Sequence, residues 1–183
     1  MTGLVFNPRA LLAVLDRHDV EYVVVGGYAA NMHGAVRPTK DIDVAPATTT
    51  QNLTRLVAAL RELEAGIRVD EMPEGLPFDT SAEALKGMKM LNLRSRFGDL
   101  DLTFTPAGFP GGYADLIGRA REHVVDGLSI WVAALQDVIS SKAAANRPKD
   151  QDALPELIRL ARRAERGKDG GKDGGNPADA TAR

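Results

Sequence analysis

The chain has 183 residues, of which 44% are hydrophobic and 26% charged, so its size and composition are those of one soluble domain with at most a small appendage. It contains no cysteine, which excludes disulfides, thiolate metal sites and cysteine nucleophiles. No apolar run approaches the roughly 20 residues of a membrane span, and the first ten residues do not resemble a signal peptide. We therefore expect a cytoplasmic protein with no membrane partner.

The net charge of −2 is unevenly distributed along the chain. Residues 142–168 hold eight basic and four acidic side chains, a net charge of +4, which leaves −6 for the remainder. A basic C-terminal segment beside an acidic body favours a polyanionic partner, although such a charge run is also typical of a solvated helix face.

Helices and strands alternate in the predicted order of elements. The N-terminal half is predicted to contain a helix from Asn7 to about His18, a strand over 21–25, a helix over 28–33, a strand over 41–44 and a helix begun by Thr48 or Thr49 and stopped by Gly66. Next come a strand over 67–69, a loop over 72–78, a short helix over 81–86 and a hairpin of strands over 88–93 and 100–104. A helix over 113–121, a strand over 128–132, helices over 135–145 and 152–166, and a flexible tail over 167–183 complete the chain.

Two glycines and two aspartates form the most informative motif. Gly26 and Gly27 end the first predicted strand, and after thirteen residues Asp41 and Asp43 follow on the second. Alternation along a strand puts both carboxylates on one face, where they repel each other unless a cation lies between them. Carboxylate oxygens suit Mg²⁺, and a glycine turn before a helix lets backbone N–H groups approach a phosphate. Together the pairs predict a metal-dependent nucleotide site rather than a surface strand and an ordinary turn.

A third carboxylate is expected from a neighbouring strand. Asp101, between Leu100 and Leu102, has the required alternation, whereas Asp99 shares its face but lies at the hairpin turn. Two divalent ions held by three carboxylates would activate an attacking oxygen and neutralise charge on a leaving pyrophosphate. The alternative is that Asp101 is a polar residue on a half-exposed strand.

Further candidates flank these carboxylates in the sequence. Arg37 and Thr39 precede Asp41, where a triphosphate would rest, and Thr39 has a hydroxyl that can contact a phosphate or accept a phosphoryl group. Lys142 lies on a helix of small residues, and Asp152 follows a proline break at the head of the next predicted helix. Asp152 suits the orientation of Lys142 or of a substrate hydroxyl, but also routine stabilisation of a helix dipole.

These motifs resemble a known superfamily. The glycine pair and the Asp-x-Asp pair, with the later strand that carries Asp101, are similar to the DNA-polymerase-β-like nucleotidyltransferases. Arg37, Thr39, Lys142 and the segment 147–152 resemble one branch of it, the bacterial toxin nucleotidyltransferases of the AbiEii and MenT type. Many members have serine as the second residue of the glycine turn, where this chain has Gly27, so the phosphate donors here must be backbone N–H groups or Thr39.

The resemblance implies both a fold and a reaction. The fold is of the α/β (α+β) class, a mixed twisted sheet with flanking helices in a nucleotidyltransferase core over 1–132, completed by a C-terminal helical region over 133–166. The reaction transfers NMP from an NTP, with ATP a candidate donor, and releases pyrophosphate. In toxins of this branch the acceptor is the 3′ end of tRNA, whose modification blocks translation, and a cognate antitoxin is the partner.

The resemblance also implies roles for individual residues. The ligands for Mg²⁺ or Mn²⁺ would be Asp41, Asp43 and Asp101. Lys142 and Asp152 would be further catalytic residues. The nucleotide would be bound by Gly26, Gly27, Arg37, Thr39 and Lys142. Thr39 also matches the position at which toxins of this branch are silenced by phosphorylation.

Three other functions remain open. A small-molecule nucleotidyltransferase, such as an aminoglycoside- or lincosamide-modifying enzyme, shares the motif and would be favoured by a deep acidic pocket. An enzyme that AMPylates a partner protein is a related hypothesis. A catalytically idle binding module or antitoxin belongs to another class, and the presence of all three candidate carboxylates argues against it.

Overall fold

The computed structural model describes residues 6–169, which form seven helices and eight strands. In chain order these are α1 (Pro8–Arg17), β1 (Tyr22–Val25), α2 (Gly26–Met32), β2 (Asp41–Pro46), α3 (Thr50–Glu62), β3 (Gly66–Val69), β4 (Met72–Leu76), α4 (Ala82–Leu85), β5 (Met90–Ser95), β6 (Gly98–Thr103), α5 (Tyr113–Ile117), β7 (Arg121–Val125), β8 (Leu128–Val132), α6 (Leu135–Ala145) and α7 (Pro148–Asp169). None of these helices is long and apolar enough to cross a membrane. Residues 167–169, predicted to begin a flexible tail, still belong to α7, and the remainder of that predicted tail lies outside the described residues.

All eight strands belong to one mixed sheet, in the order β4-β3-β5-β6-β2-β1-β8-β7. The central strand β2 pairs antiparallel with β1 and parallel with β6, and β1 pairs parallel with β8. Helix α6 packs against α2 and α7. The predicted fold class, a mixed sheet with flanking helices and a helical C-terminal region, is confirmed.

The core follows from the spacing of apolar side chains. Leu11, Leu12 and Leu15 occupy one face of α1 and are fully buried. On β2 the apolar Ile42 and Val44 are also fully buried and alternate with the aspartates. Each such side chain contributes about 1.5–3 kcal/mol through burial, so the apolar face anchors the strand and leaves its carboxylates on the other face.

Two segments differ from the sequence-based prediction because of strand pairing. Residues 72–76, predicted as loop, form the edge strand β4, where the proline at position 73 is tolerated. The helix predicted to reach Arg121 ends at Ile117, and Arg121 instead begins β7. The β7–β8 hairpin turns at Asp126 and Gly127, both with positive φ, which is the Asp-Gly signal of a tight hairpin.

The last helix also begins earlier than predicted. Asn146 adopts the left-handed conformation that ends α6, and α7 begins at Pro148 rather than at Asp152. Proline suits the first turn of a helix because its missing N–H is not needed there. This earlier start changes which acidic side chain faces the cleft.

Candidate active site

Four aspartates form a ladder across two parallel strands. The register of β2 and β6 places Asp41 opposite Asp99 and Asp43 opposite Asp101. Because strands lie about 4.8 Å apart and side chains alternate, all four carboxylates share one face of the sheet. The three predicted metal ligands, Asp41, Asp43 and Asp101, are therefore brought together.

The crowding of these carboxylates perturbs Asp43. Withdrawal from water raises its pKa to about 7, and the negative charges of Asp41 and Asp101 add to this effect. The backbone N–H of Gly27 opposes it by bonding the carboxylate. The negative charges around Asp43 are thus not fully balanced by nearby positive groups.

Asp101 and Asp99 differ in how their oxygens are satisfied. Asp99 accepts from Arg94 Nε at 3.0 Å and lies 3.2 Å from Arg68 Nη1, so each of its oxygens meets a guanidinium. Asp101 is buried and accepts from Arg68 Nη2 at 3.1 Å through Oδ2. Its Oδ1 is buried and has no hydrogen-bond partner among the described residues, which costs about 1–3 kcal/mol. Asp101, not Asp99, keeps an oxygen available for a ligand.

The glycine turn is shaped by the side chains that pack on it. Gly26 has φ +64°, and a Cβ at this position would lie 2.1 Å from Asp43 Oδ2. A Cβ on Gly27 would lie 3.0 Å from Thr39 Oγ1. The two glycines therefore permit the close approach of the carboxylate and the hydroxyl, whatever they contribute to phosphate binding.

The loop before β2 presents its polar groups to the same cleft. Thr39 Oγ1 donates to Asp41 Oδ1 at 2.6 Å. Asn31 holds the loop through its amide, which donates to the carbonyl of Arg37 at 2.7 Å. The loop is also fastened to α7, because the N–H of Val36 donates to Glu156 at 2.9 Å. Arg37 and Thr39 are thus placed at the cleft by fixed contacts.

The C-terminal helices bring a buried ion cluster to the cleft. Lys142 Nζ lies 3.2 Å from Asp150 Oδ1, and Arg147 Nε donates to Asp150 Oδ2 at 2.6 Å. Burial alone would raise the pKa of Asp150, but hydrogen bonds from Arg147 and Lys142 outweigh it and hold the pKa below its usual range. Lys142 is consequently fixed at the cleft wall.

The carboxylate that contacts Lys142 is Asp150 rather than the predicted Asp152. Asp152 is exposed and does not line the cleft. Side chains two positions apart in a helix point about 200° apart, so a helix that turns Asp150 inward turns Asp152 outward.

These groups surround one cavity of about 540 Å³. The basic side chains that line it are Arg37, Lys40, Arg68, Lys142, Arg147 and Lys149, and the acidic ones are Asp41, Asp43, Asp101, Asp150 and Glu156. Six cations and five carboxylates make a cleft that is charged but not strongly acidic.

The three carboxylates offer oxygen ligands to a divalent cation. In residues 6–169 no three acidic or histidine side chains are arranged as a ready set of metal ligands, and Arg68 is paired with Asp101. The unpartnered Oδ1 of Asp101 and the raised pKa of Asp43 both fit a missing positive charge. Their oxygen chemistry suits Mg²⁺.

Sequence reasoning missed Arg68 and Asp150. Arg68 lies between the apolar residues Ile67 and Val69 on β3, an alternation that the sequence shows. Its contact with β6, however, depends on the order of the strands in the sheet, which residue spacing does not reveal. Asp150 was missed because the start of α7 was placed four residues late.

Comparisons with known proteins identify a family and a fold. Residues 9–158 match the model of a family described as "Nucleotidyltransferase of unknown function (DUF6036)". No curated protein matches the chain. Among solved structures, the lincosamide antibiotic adenylyltransferase LnuA bound to lincomycin is similar, with a TM-score of 0.54 and 18% identity over 85% of this chain and 99% of that one.

Two further structures share the fold. A nucleotidyltransferase from Thermotoga maritima aligns with a TM-score of 0.50 and 16% identity over 85% of this chain and 96% of that one. ANT(2″)-Ia in complex with adenylyl-2″-tobramycin aligns with a TM-score of 0.50 and 16% identity over 84% of each chain. At these identities the likeness shows a common fold.

Proposed function

Since this chain belongs to that nucleotidyltransferase family, we propose that it transfers NMP from an NTP to the 3′ end of a tRNA and releases pyrophosphate. In this reaction a terminal hydroxyl oxygen bonds to the α-phosphorus, the bond from that phosphorus to the oxygen bridging the β-phosphorus breaks, pyrophosphate leaves with the electron pair, and the hydroxyl proton passes to solvent. The observation that carries the choice of acceptor is the charge of the cleft.

Six basic side chains line the cleft, and they are spread over both of its walls. Against five carboxylates these six cations leave no excess negative charge to attract a polycationic drug, whereas an NTP and a nucleic-acid end bring phosphates that such cations bind. Four exposed arginines of α7, Arg159, Arg162, Arg163 and Arg166, add a positive surface outside the cleft. The deep acidic pocket that would favour an aminoglycoside is absent from the described residues.

Asp41, Asp43 and Asp101 would hold the divalent cations, Mg²⁺ or Mn²⁺. Bound there, these ions neutralise charge on the phosphates and lower the pKa of the attacking hydroxyl. Asp101 keeps one oxygen unpartnered for this purpose.

The protein's own residues would position the triphosphate. Arg37 and Lys142 both line the cleft and would supply positive charge to the phosphates, and Gly27 and Thr39 line the same cleft. Asp150 holds Lys142 in place without neutralising the whole cluster, because Arg147 shares the same carboxylate.

A toxin role, with a cognate antitoxin as partner, follows from the resemblance to the AbiEii and MenT type. Modified tRNA ends cannot be aminoacylated, so induced expression should arrest translation. Co-expression of a neighbouring small gene that restores growth would identify the antitoxin.

The test is incubation of the protein with each of four α-labelled NTPs, Mg²⁺ and total tRNA, resolved on a denaturing gel. We expect label on tRNA with one or more NTPs. The Asp41→Ala variant should lose about 10³-fold or more in rate, because it removes several kcal/mol of charge stabilisation. Asp79→Ala, an exposed carboxylate on a loop outside the cleft, is the control. Full activity of Asp41→Ala would contradict the assignment of the site.

A second candidate is modification of a lincosamide-type drug. It is favoured by the cavity volume, since clefts of about 300–1,000 Å³ are typical of small-molecule sites, and by the alignment with 99% of the lincosamide enzyme. Replacement of tRNA by lincomycin or tobramycin in the same assay, with detection of nucleotidylated drug by mass spectrometry, separates the two functions.

A further inference from the structure

Arg68 joins two carboxylates across an intervening strand. It lies on β3, and its guanidinium reaches past β5 to β6, where Nη1 lies 3.2 Å from Asp99 and Nη2 lies 3.1 Å from Asp101. The side chain is 22% exposed and lines the cleft. It is therefore a cation within reach of both the carboxylates and any substrate.

The two carboxylates depend on Arg68 to different degrees. Asp99 is also paired with Arg94, so it keeps a counter-charge if Arg68 leaves. Asp101 has no other cation within salt-bridge distance in the described residues. A divalent cation at Asp101 would repel the guanidinium a few ångström away and replace it as counter-charge. If Arg68 moves away, Arg94 therefore still neutralises Asp99, and the divalent cation would neutralise Asp101.

The sheet order places Arg68 on a defined side of the reaction. The glycine turn follows β1, the carboxylates lie on β2 and β6, and Arg68 lies beyond them on β3. In a phosphoryl transfer the attacking and leaving oxygens are roughly in line, on opposite sides of the phosphorus. With the triphosphate at the glycine turn, Arg68 lies on the side from which the acceptor enters, beside Asn92 and Met90.

We propose that Arg68 is an acceptor-binding residue, held by Asp101 until a divalent cation displaces it and then pairing with a phosphodiester of the acceptor. The inference rests on the proposed function, because a phosphodiester acceptor is part of it. Metal binding is thereby coupled to acceptor binding, because the guanidinium of Arg68 becomes available only when the carboxylates have bound the metal ion. Arginine suits this exchange since its planar fork pairs equally well with carboxylate and phosphate.

The first test measures metal binding without nucleotide. Mn²⁺ is titrated into the wild type, Arg68→Gln and Arg94→Gln and followed by electron paramagnetic resonance of the free ion. We expect Arg68→Gln to bind Mn²⁺ about tenfold more tightly, because one competing ion pair at the buried carboxylate of Asp101 is gone. Arg94→Gln, which removes an equal charge from Asp99 alone, should stay within about twofold of the wild type. Unchanged or weaker binding by Arg68→Gln overturns the proposal.

The second test measures acceptor binding. A short fluorescein-labelled RNA with a free 3′ hydroxyl is titrated with each protein, with and without Mn²⁺, and followed by anisotropy. Mn²⁺ should tighten RNA binding by the wild type and Arg94→Gln, and this gain should be about tenfold smaller in Arg68→Gln because one phosphate contact is lost. An equal gain in all three proteins overturns the proposal.

The outcomes separate this inference from the proposed function. If the wild type binds no RNA under any condition, the RNA acceptor is wrong and the proposal falls with it. If RNA binds but Arg68→Gln behaves as the wild type does, only the role of Arg68 is wrong. Thermal unfolding checks that each variant is folded. If Arg68→Gln is not folded, both tests are repeated with Arg68→Met, whose side chain is of similar length and uncharged.

Discussion

At the scale of single residues, Thr39 occupies a sensitive position. Its hydroxyl donates to Asp41 and lies against Gly27, so one small side chain touches both a candidate metal ligand and the candidate phosphate turn. A hydroxyl is tolerated there because it donates to the carboxylate. A phosphate group at the same oxygen would instead meet the carboxylate as a like charge.

We therefore expect phosphorylation of Thr39, or its substitution Thr39→Glu, to weaken NTP binding at least about tenfold through charge repulsion. Isothermal titration with a non-hydrolysable NTP measures this. Thr39→Ser keeps the hydroxyl and serves as the control. Unchanged NTP affinity of a homogeneous phospho-Thr39 sample would show that the residue is no regulatory site.

At the scale of elements, the turn between β1 and α2 and the strand β2 are shaped for each other. Gly26→Ala should place a methyl group on Asp43 and strain a left-handed backbone by about 1–2 kcal/mol. We expect a lower Tm and loss of Mn²⁺ binding, since the carboxylate must move. Gly87→Ala is a matched control, because Gly87 also has positive φ but nothing within 4 Å of the added Cβ. It should lower Tm without affecting Mn²⁺.

The junction of α6 and α7 depends on one buried carboxylate. Asp150→Asn should lower the free energy of unfolding by about 2 kcal/mol at pH 7, because hydrogen bonds to a charged group are lost. Since the folded state lowers the pKa of Asp150, this stabilisation is present above the unfolded value of about 3.9 and disappears as pH falls through the lower folded value. Urea unfolding of both proteins at neutral and acidic pH measures the difference. Asp152→Asn, on the exposed face, should change stability by less than about 0.5 kcal/mol.

Local sequence patterns predicted the helices and strands that carry the site. They did not predict the features that depend on pairing between distant segments. Alternation around Asp43 and Asp101 was sufficient to place both carboxylates on one face. It was not sufficient to place Arg68, whose partner strand follows more than twenty residues later. The Asp-Gly pair at Asp126 is a hairpin signal in the sequence, but the helical spacing of the preceding residues predicts a helix up to Arg121, where β7 begins.

At the scale of the whole molecule, the uneven charge becomes a surface. Arg159, Arg162, Arg163 and Arg166 are all exposed on α7, and none forms an ion pair within the described part of the chain. Their spacing of three and four residues places them on one side of the helix. The cleft-lining residues Ala153 and Leu157 lie on another side of α7, so the stripe is a positive surface of its own.

Reversal of two of these charges tests the surface. The double variant Arg162→Glu and Arg163→Glu should weaken tRNA binding and reduce its salt dependence, because phosphate contacts release fewer counterions. NTP affinity should not change. The same reversal at Arg55 and Arg61 on α3, away from the cleft, controls for net charge. Binding of tRNA that neither falls nor depends on salt would show that the stripe is only solvated surface.

The parallel pairing of β2 with β6 has an evolutionary consequence. No tight hairpin joins these strands, and the segment between them contains β3 and β5, which carry the cleft residues Arg68, Met90 and Asn92. Buried leucines beneath the aspartates hold the register independently of that connection. Substitutions on β3 and β5 can therefore alter this part of the cleft without shifting the carboxylates. A lineage built on this sheet can change its target while it inherits its chemistry.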